Sequence, residues 1–108
     1  MNVWQIVTTL PSREAADKLA AALVEGRLAA CVQIDGPVQS CYRWQGAVTS
    51  EVEWRCTIKT SEGRRDECMR ALREQHPYEV PEILAFPAVR GDEAYSAWVA
   101  EQTVEQGS

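Results

Sequence analysis

Between residues 29 and 60 the chain carries two strand-like arms that are long for the domain holding them. The second arm has the clearest pattern in the sequence. In "SEVEWRCTIKT", Val52, Trp54, Cys56 and Ile58 alternate with Glu51, Glu53, Arg55, Thr57 and Lys59, the period of two that marks a strand with one apolar face. The first arm, "AACVQIDGPVQSCYRW", reads as a strand over residues 29–34, bends or bulges at Asp35-Gly36-Pro37, and resumes over 38–44. Gln45-Gly46 between the arms suits a tight hairpin turn. Fourteen residues, 47–60, span about 45 Å at roughly 3.3 Å each, whereas a compact domain of 108 residues has a radius of gyration of about 13 Å. The tip, with Tyr42, Trp44 and Val48, is therefore expected to overhang its own core. Aromatic side chains on an overhanging ribbon call for a partner surface. An oligomer is the expectation, with Tyr42, Trp44, Val48 and Trp54 at its interface.

The segments around this hairpin complete a fold. "VWQIVTTL" (3–10) reads as a first strand. In the helix that follows, Ser12 can cap the N-terminus and Glu14 suits the positive end of the dipole. Ala16, Leu19, Ala20, Leu23 and Val24 form one apolar stripe, and Gly26 stands where a left-handed C-terminal residue is expected. A second helix over 62–76, capped by Ser61, turns Cys68, Met69 and Leu72 inward and must end at His76, because proline disfavours helical geometry in the residue before it. "PEILAFPAV" gives a fourth strand whose Pro87 belongs at an edge or bulge. Asp92 can cap a last helix carrying Tyr95, Trp98 and Val99, and residues 103–108 read as a loose tail. The order β-α-β-β-α-β plus a C-terminal helix predicts a single α+β domain over 1–108 with the ferredoxin-like plan, an antiparallel sheet with both crossover helices on one face.

Charge narrows the function. A net charge of −5 and a pI near 4.8 argue against a nucleic-acid partner, whose affinity rests on neutralising phosphates. Arg64, Arg65, Arg70 and Arg73 read as a solvated face balanced by Asp66, Glu67 and Glu74. No apolar run reaches the roughly 18 residues of a membrane span, and "MNVWQIV" lacks a basic leader region, so a cytoplasmic protein is expected. The cysteines at 31, 41, 56 and 68 have no C-x-x-C spacing and read as buried thiols.

Three places could carry chemistry. Cys68 lies eight residues before His76 on one helix, two turns away and out of hydrogen-bond reach, and no nucleophile elbow, phosphate-binding glycine loop or H-E-x-x-H is present. Glu51 and Glu53 share one side of a strand. They can meet a cation or simply pair with Arg43, Arg55 or Lys59. His76 is the only histidine, and a transition-metal site recruits three or four ligands. Its plain role is a polar helix end.

"AACVQI", then "SCYRWQG" with "EVEWRCTIKT", then "HPYEVPEILAFP" and "GDEAYSAWV" occur in this order. Together they closely resemble the CutA family of divalent-cation tolerance proteins, over about residues 3–100. The resemblance implies a ferredoxin-like protomer in a homotrimer, its long hairpins packing across subunit boundaries. It also implies a non-enzymatic cytoplasmic role in tolerance of divalent cations, copper foremost, with no cofactor required. In the copper-binding form of the motif, a cysteine on the first strand joins two successive histidines before Pro-Tyr. Thr8 and Gln75 occupy two of those positions here and only His76 matches. Cys31, Glu51 and Glu53 are the candidate substitutes.

A second reading is a trimeric signalling or scaffold module that binds a small ligand or a protein at inter-subunit clefts. Tyr42, Trp44, Lys59, Tyr78 and His76 are its cleft candidates, since aromatic and cationic side chains suit an anionic molecule. An acylphosphatase-like enzyme would need a glycine-rich anion loop, and "TTLPSRE" supplies Arg13 without one.

Overall fold

The computed structural model describes residues 2–104. Four strands, β1 (Val3–Leu10), β2 (Cys31–Trp44), β3 (Ala47–Ser61) and β4 (Ile83–Pro87), form one antiparallel sheet in the order β2-β3-β1-β4. Helices α1 (Arg13–Glu25) and α2 (Glu62–Gln75) are the crossovers and α3 (Glu93–Gln102) follows β4. This is the ferredoxin-like arrangement. Ile6, Leu10, Cys56 and Ile58 from the central strands meet Ala16, Leu19, Leu23, Cys68 and Leu72 from α1 and α2 in one core. Each large aliphatic side chain buried there contributes roughly 1.5–3 kcal/mol. Val3, an odd number of residues from Ile6, points to the opposite face. With Ala30 it forms a small second cluster under Val99 of α3.

Local chemistry sets the helix ends. Ser12 accepts the Ala15 N–H at 3.1 Å and Asp92 accepts the Tyr95 N–H at 2.9 Å, as N-caps should. Helix α2 stops one residue earlier than expected, at Gln75, and His76 takes the extended geometry that Pro77 imposes. The C-terminus of α1 differs from expectation. Gly26 has φ −79°, and the left-handed residue is Arg27 at φ 58°. Leu28 N–H bonds Leu23 O and Arg27 N–H bonds Val24 O, the paired bonds of a Schellman motif displaced by one residue. Ser61 sits at the N-cap position of α2 but makes no cap bond; its hydroxyl is hydrogen-bonded to that of Thr103 instead, at 2.8 Å.

The hairpin is as long as expected. Asp35 and Val38 flank a register shift in β2, and Gln45 and Gly46 both have positive φ, the geometry of a two-residue turn matched to strand twist. Strand β1 ends at the pair Leu10↔Trp54. Beyond it, residues 47–53 pair only with 38–44 of β2, leaving about 20 Å of ribbon outside the core.

Several burial expectations are corrected. β2 begins at Cys31, after the buried Ala29 and Ala30, and β4 is shorter than residues 81–89. On the apolar face of β3, Cys56 and Ile58 are buried but Val52 is exposed and Trp54 half-buried, because the helices do not reach that far. Val24, Tyr95 and Trp98 are likewise exposed. Only Cys56 and Cys68 are buried thiols; Cys31 is half-buried and Cys41 exposed. Thr103 is buried and donates to Val99 O, so the expected loose tail does not begin there, and residues 105–108 lie outside the described ones.

Candidate functional site

Where α2 ends, the segment 76–82 crosses the end of β1 toward the root of the hairpin. His76 organises this corner. Tyr78 N–H donates to His76 Nδ1 at 3.1 Å, so Nε2 carries the proton and faces Thr9 O at 2.9 Å and Thr8 Oγ1 at 3.1 Å. Loss of solvent lowers the His76 pKa, outweighing the raising influence of Thr9 O and Glu53. Both ring nitrogens are thus committed to the neutral ring.

Tyr78 extends the chain of bonds. Its ring lies 4.9 Å from the imidazole, and its hydroxyl donates to Glu53 Oε2 at 2.9 Å. Burial first, and then the Glu53 hydrogen bond, hold the Tyr78 phenol above its ordinary range. Glu53 is 7% exposed, which reverses the expectation of a wet face pairing with arginine or lysine. Arg55 is bound to Asp35 at 2.6 Å and Lys59 to Gln33 at 2.8 Å. Among the described residues no cationic side chain pairs with Glu53.

These residues border a cleft of about 730 Å³ between the hairpin and the 76–82 segment. Tyr42, Trp44 and Tyr78 line it together with Glu51, Glu53, Glu79 and Glu82. Tyr42 stands opposite Thr49 and Ser40 opposite Glu51, which puts the even residues of this part of β2 and the odd residues of β3 on the cleft side. Removal from water, followed by the charge of Glu51, raises the Tyr42 phenol.

The candidates from sequence divide accordingly. Tyr42, Trp44, Glu51, Glu53 and Tyr78 are brought together, with His76 behind Tyr78. Cys31 pairs with Lys59, six residues along β3 from Glu53, and neither lines this cleft; Lys59 borders a smaller depression with Arg90 and Tyr95. The cationic lining expected for an anionic ligand is therefore missing. Val48 is exposed near the hairpin tip. Trp54 is engaged within its own chain, with Arg13 5.5 Å above its ring and Gly36 against it. Glu79 and Glu82 were not expected here, since only the path of the 76–82 segment reveals them.

The copper ligand set does not fit. Thr8 is fully buried and hydrogen-bonded, Gln75 is exposed at the end of α2, and His76 has no free lone pair. No group of three or more His, Cys, Asp or Glu among the described residues is arranged to hold a metal ion.

A ferredoxin-like domain with a hairpin running far past its central strand, and a His-Pro-Tyr corner at the hairpin root, defines a narrow class of small α+β proteins. The CutA1 divalent ion tolerance protein family matches residues 4–102. The divalent-cation tolerance protein CutA of Thermus thermophilus is 42% identical over 98 residues, covering 91% of this chain and 95% of that one. The structure of the Thermus protein superimposes with a TM-score of 0.90 over 94% of this chain and 99% of that one, at 40% identity. That of CutA1 from Oryza sativa gives 0.93 over 98% and 97%, at 33% identity. The chain belongs to the CutA1 divalent ion tolerance family.

Proposed function

We propose that this protein acts as a homotrimer in tolerance of divalent metal ions, copper among them, and catalyses no reaction. The observation that carries the assembly is the ribbon beyond Leu10↔Trp54, where Tyr42 and Trp44 are 37% and 43% exposed and Val48 and Val52 are 67% and 59% exposed. A strand pair without a third strand or a helix over it is marginal alone, and a neighbouring copy supplies the missing cover. Cation contact falls to Glu51 and Glu53 at the ribbon's root, oxygen donors that hold a divalent ion weakly until a neighbour adds ligands. The absence of catalysis is supported by thiols that resist ionisation. Burial pushes Cys56 up to about 11 and Cys68 up to about 12, and His76 has no nitrogen free to act as a base.

Sedimentation equilibrium tests the assembly: a species three times the 12.1 kDa chain is expected, and a 12 kDa species alone overturns it. Calorimetry with Cu(II) tests the ligands. Weak binding should persist in His76→Ala and fall in the Glu51→Gln/Glu53→Gln pair. Binding abolished by His76→Ala alone would return the site to the imidazole.

A further inference from the structure

Helix α3 is fastened differently from the other two. Of its ten residues Val99 alone is buried, and it packs on Val3 and Ala30 in a cluster apart from the main core. A helix this short is marginal by itself, so α3 depends on its attachments. Among the described residues its polar ties to the rest of the chain gather at its C-terminal end. Arg27 Nη1 donates to Gln102 O at 3.3 Å, a positive group at the end of the dipole that favours one. Thr103, 2% exposed, donates to Val99 O at 2.9 Å, and its hydroxyl meets that of Ser61 at 2.8 Å. Tyr95 and Trp98, nearer the other end, stand exposed.

Ser61 gives this attachment a second meaning. It has the residue type and the extended backbone of an N-cap, φ −91° and ψ 159°, directly before α2. Its side chain nevertheless makes no cap bond, because the rotamer that reaches Thr103 turns away from the first turn of α2. Ser12 and Asp92, in the same position before α1 and α3, both cap. One hydroxyl thus stands between two helix ends, and with α3 in place it serves α3.

We propose that Ser61 is a two-position latch. With α3 docked its hydroxyl holds Thr103; when α3 lifts, the hydroxyl turns to cap α2, so the two helix ends compete for one side chain. The new cap offsets part of the cost of release, since a serine cap shifts the equilibrium at a helix end by roughly threefold to thirtyfold. Release uncovers Val3, Ala30 and the Lys59 side of the sheet, which Tyr95 and Ser96 border, while the main core stays closed. Ser61 pairs with Val3, at the end of β1 remote from Leu10↔Trp54. The latch is therefore separate from the ribbon and from the glutamates at its root.

Hydrogen exchange resolved to single amides by NMR, on the full-length protein in its native oligomeric state, tests the latch. Thr103→Val removes the hydroxyl and keeps the bulk. It should speed exchange at Val99 to Gln102 several-fold and slow Gly63 and Arg64 by roughly threefold or more, with Ile6 and Ile58 unchanged. Thr103→Ser restores a hydroxyl and should restore both rates. Ser61→Ala breaks the same pair from the other side; alone or combined with Thr103→Val, it should leave α3 fast without protecting Gly63 or Arg64. The opposite responses of the two helices separate a latch from a merely structural contact, whose loss would loosen both. The proposal is overturned if α3 exchange is unchanged in both Thr103→Val and Ser61→Ala, if Thr103→Val speeds Gly63 and Arg64 along with α3, or if their added protection persists without Ser61.

Discussion

The Tyr78 hydroxyl donates to Glu53 Oε2 at 2.9 Å, joining the segment after α2 to the root of the hairpin. A hydrogen bond to a charged acceptor contributes roughly 1.5–3 kcal/mol. Tyr78→Phe should therefore destabilise the protein by about 1–3 kcal/mol in urea unfolding. In a double-mutant cycle with Glu53→Ala, which removes the acceptor, the two losses should be clearly less than additive. Strict additivity would mean that the bond contributes nothing to stability.

His76 gives a pH signature with a definite sign. Its folded pKa lies below the ordinary 6.5 because burial disfavours the cation. Above pH 6.5 the ring is neutral both folded and unfolded, and stability is unaffected. As pH falls below 6.5 the unfolded chain takes up the proton first, so stability declines until the folded ring also titrates. With one histidine in the chain, its proton resonance followed by NMR should show a midpoint below 6.5. A midpoint above that value would contradict the neutral ring.

Gly36 faces Trp54 so closely that a methyl group would fall 2.6 Å from Cε3. Overpacking of this kind costs about 1–3 kcal/mol. Gly36→Ala should lower the thermal midpoint by several degrees, and Gly36→Ala/Trp54→Leu should recover part of the loss. No recovery would show that the cost lies in the bulge backbone and not in the ring.

Thiol reactivity separates the cysteines. In the native protein a thiol reagent should modify the exposed Cys41 fastest, while Cys56 and Cys68, fully buried and raised to about 11 and 12, react only on unfolding. Four equally fast native thiols would contradict this core.

What the sequence disclosed followed from local rules. The alternation of β3, the Gln45-Gly46 turn, the bend before Val38 and the stop at Pro77 each depend on a residue and its immediate neighbours. The left-handed Arg27 was hidden because the shift by one residue is set by Leu28, whose N–H must return to Leu23 O while its side chain packs against the core. Glu53 was hidden for a different reason. Its place in the alternation assigns it to water, and it is buried by a segment 25 residues later whose path no local pattern specifies. The same blindness applies to Glu79 and Glu82. The aromatic side of the cleft was legible, and the full extent of its negative charge was not.

The ribbon beyond Leu10↔Trp54 also makes the amide protons of residues 38–53 a gauge of association. In an isolated protomer their hydrogen exchange should quicken toward Gln45, since only two strands protect them. In an assembled protein it should fall to the slow rate of the central sheet. Dilution would then unlock these amides well before those of Ile6 and Ile58, giving a readout of subunit contact confined to one hairpin.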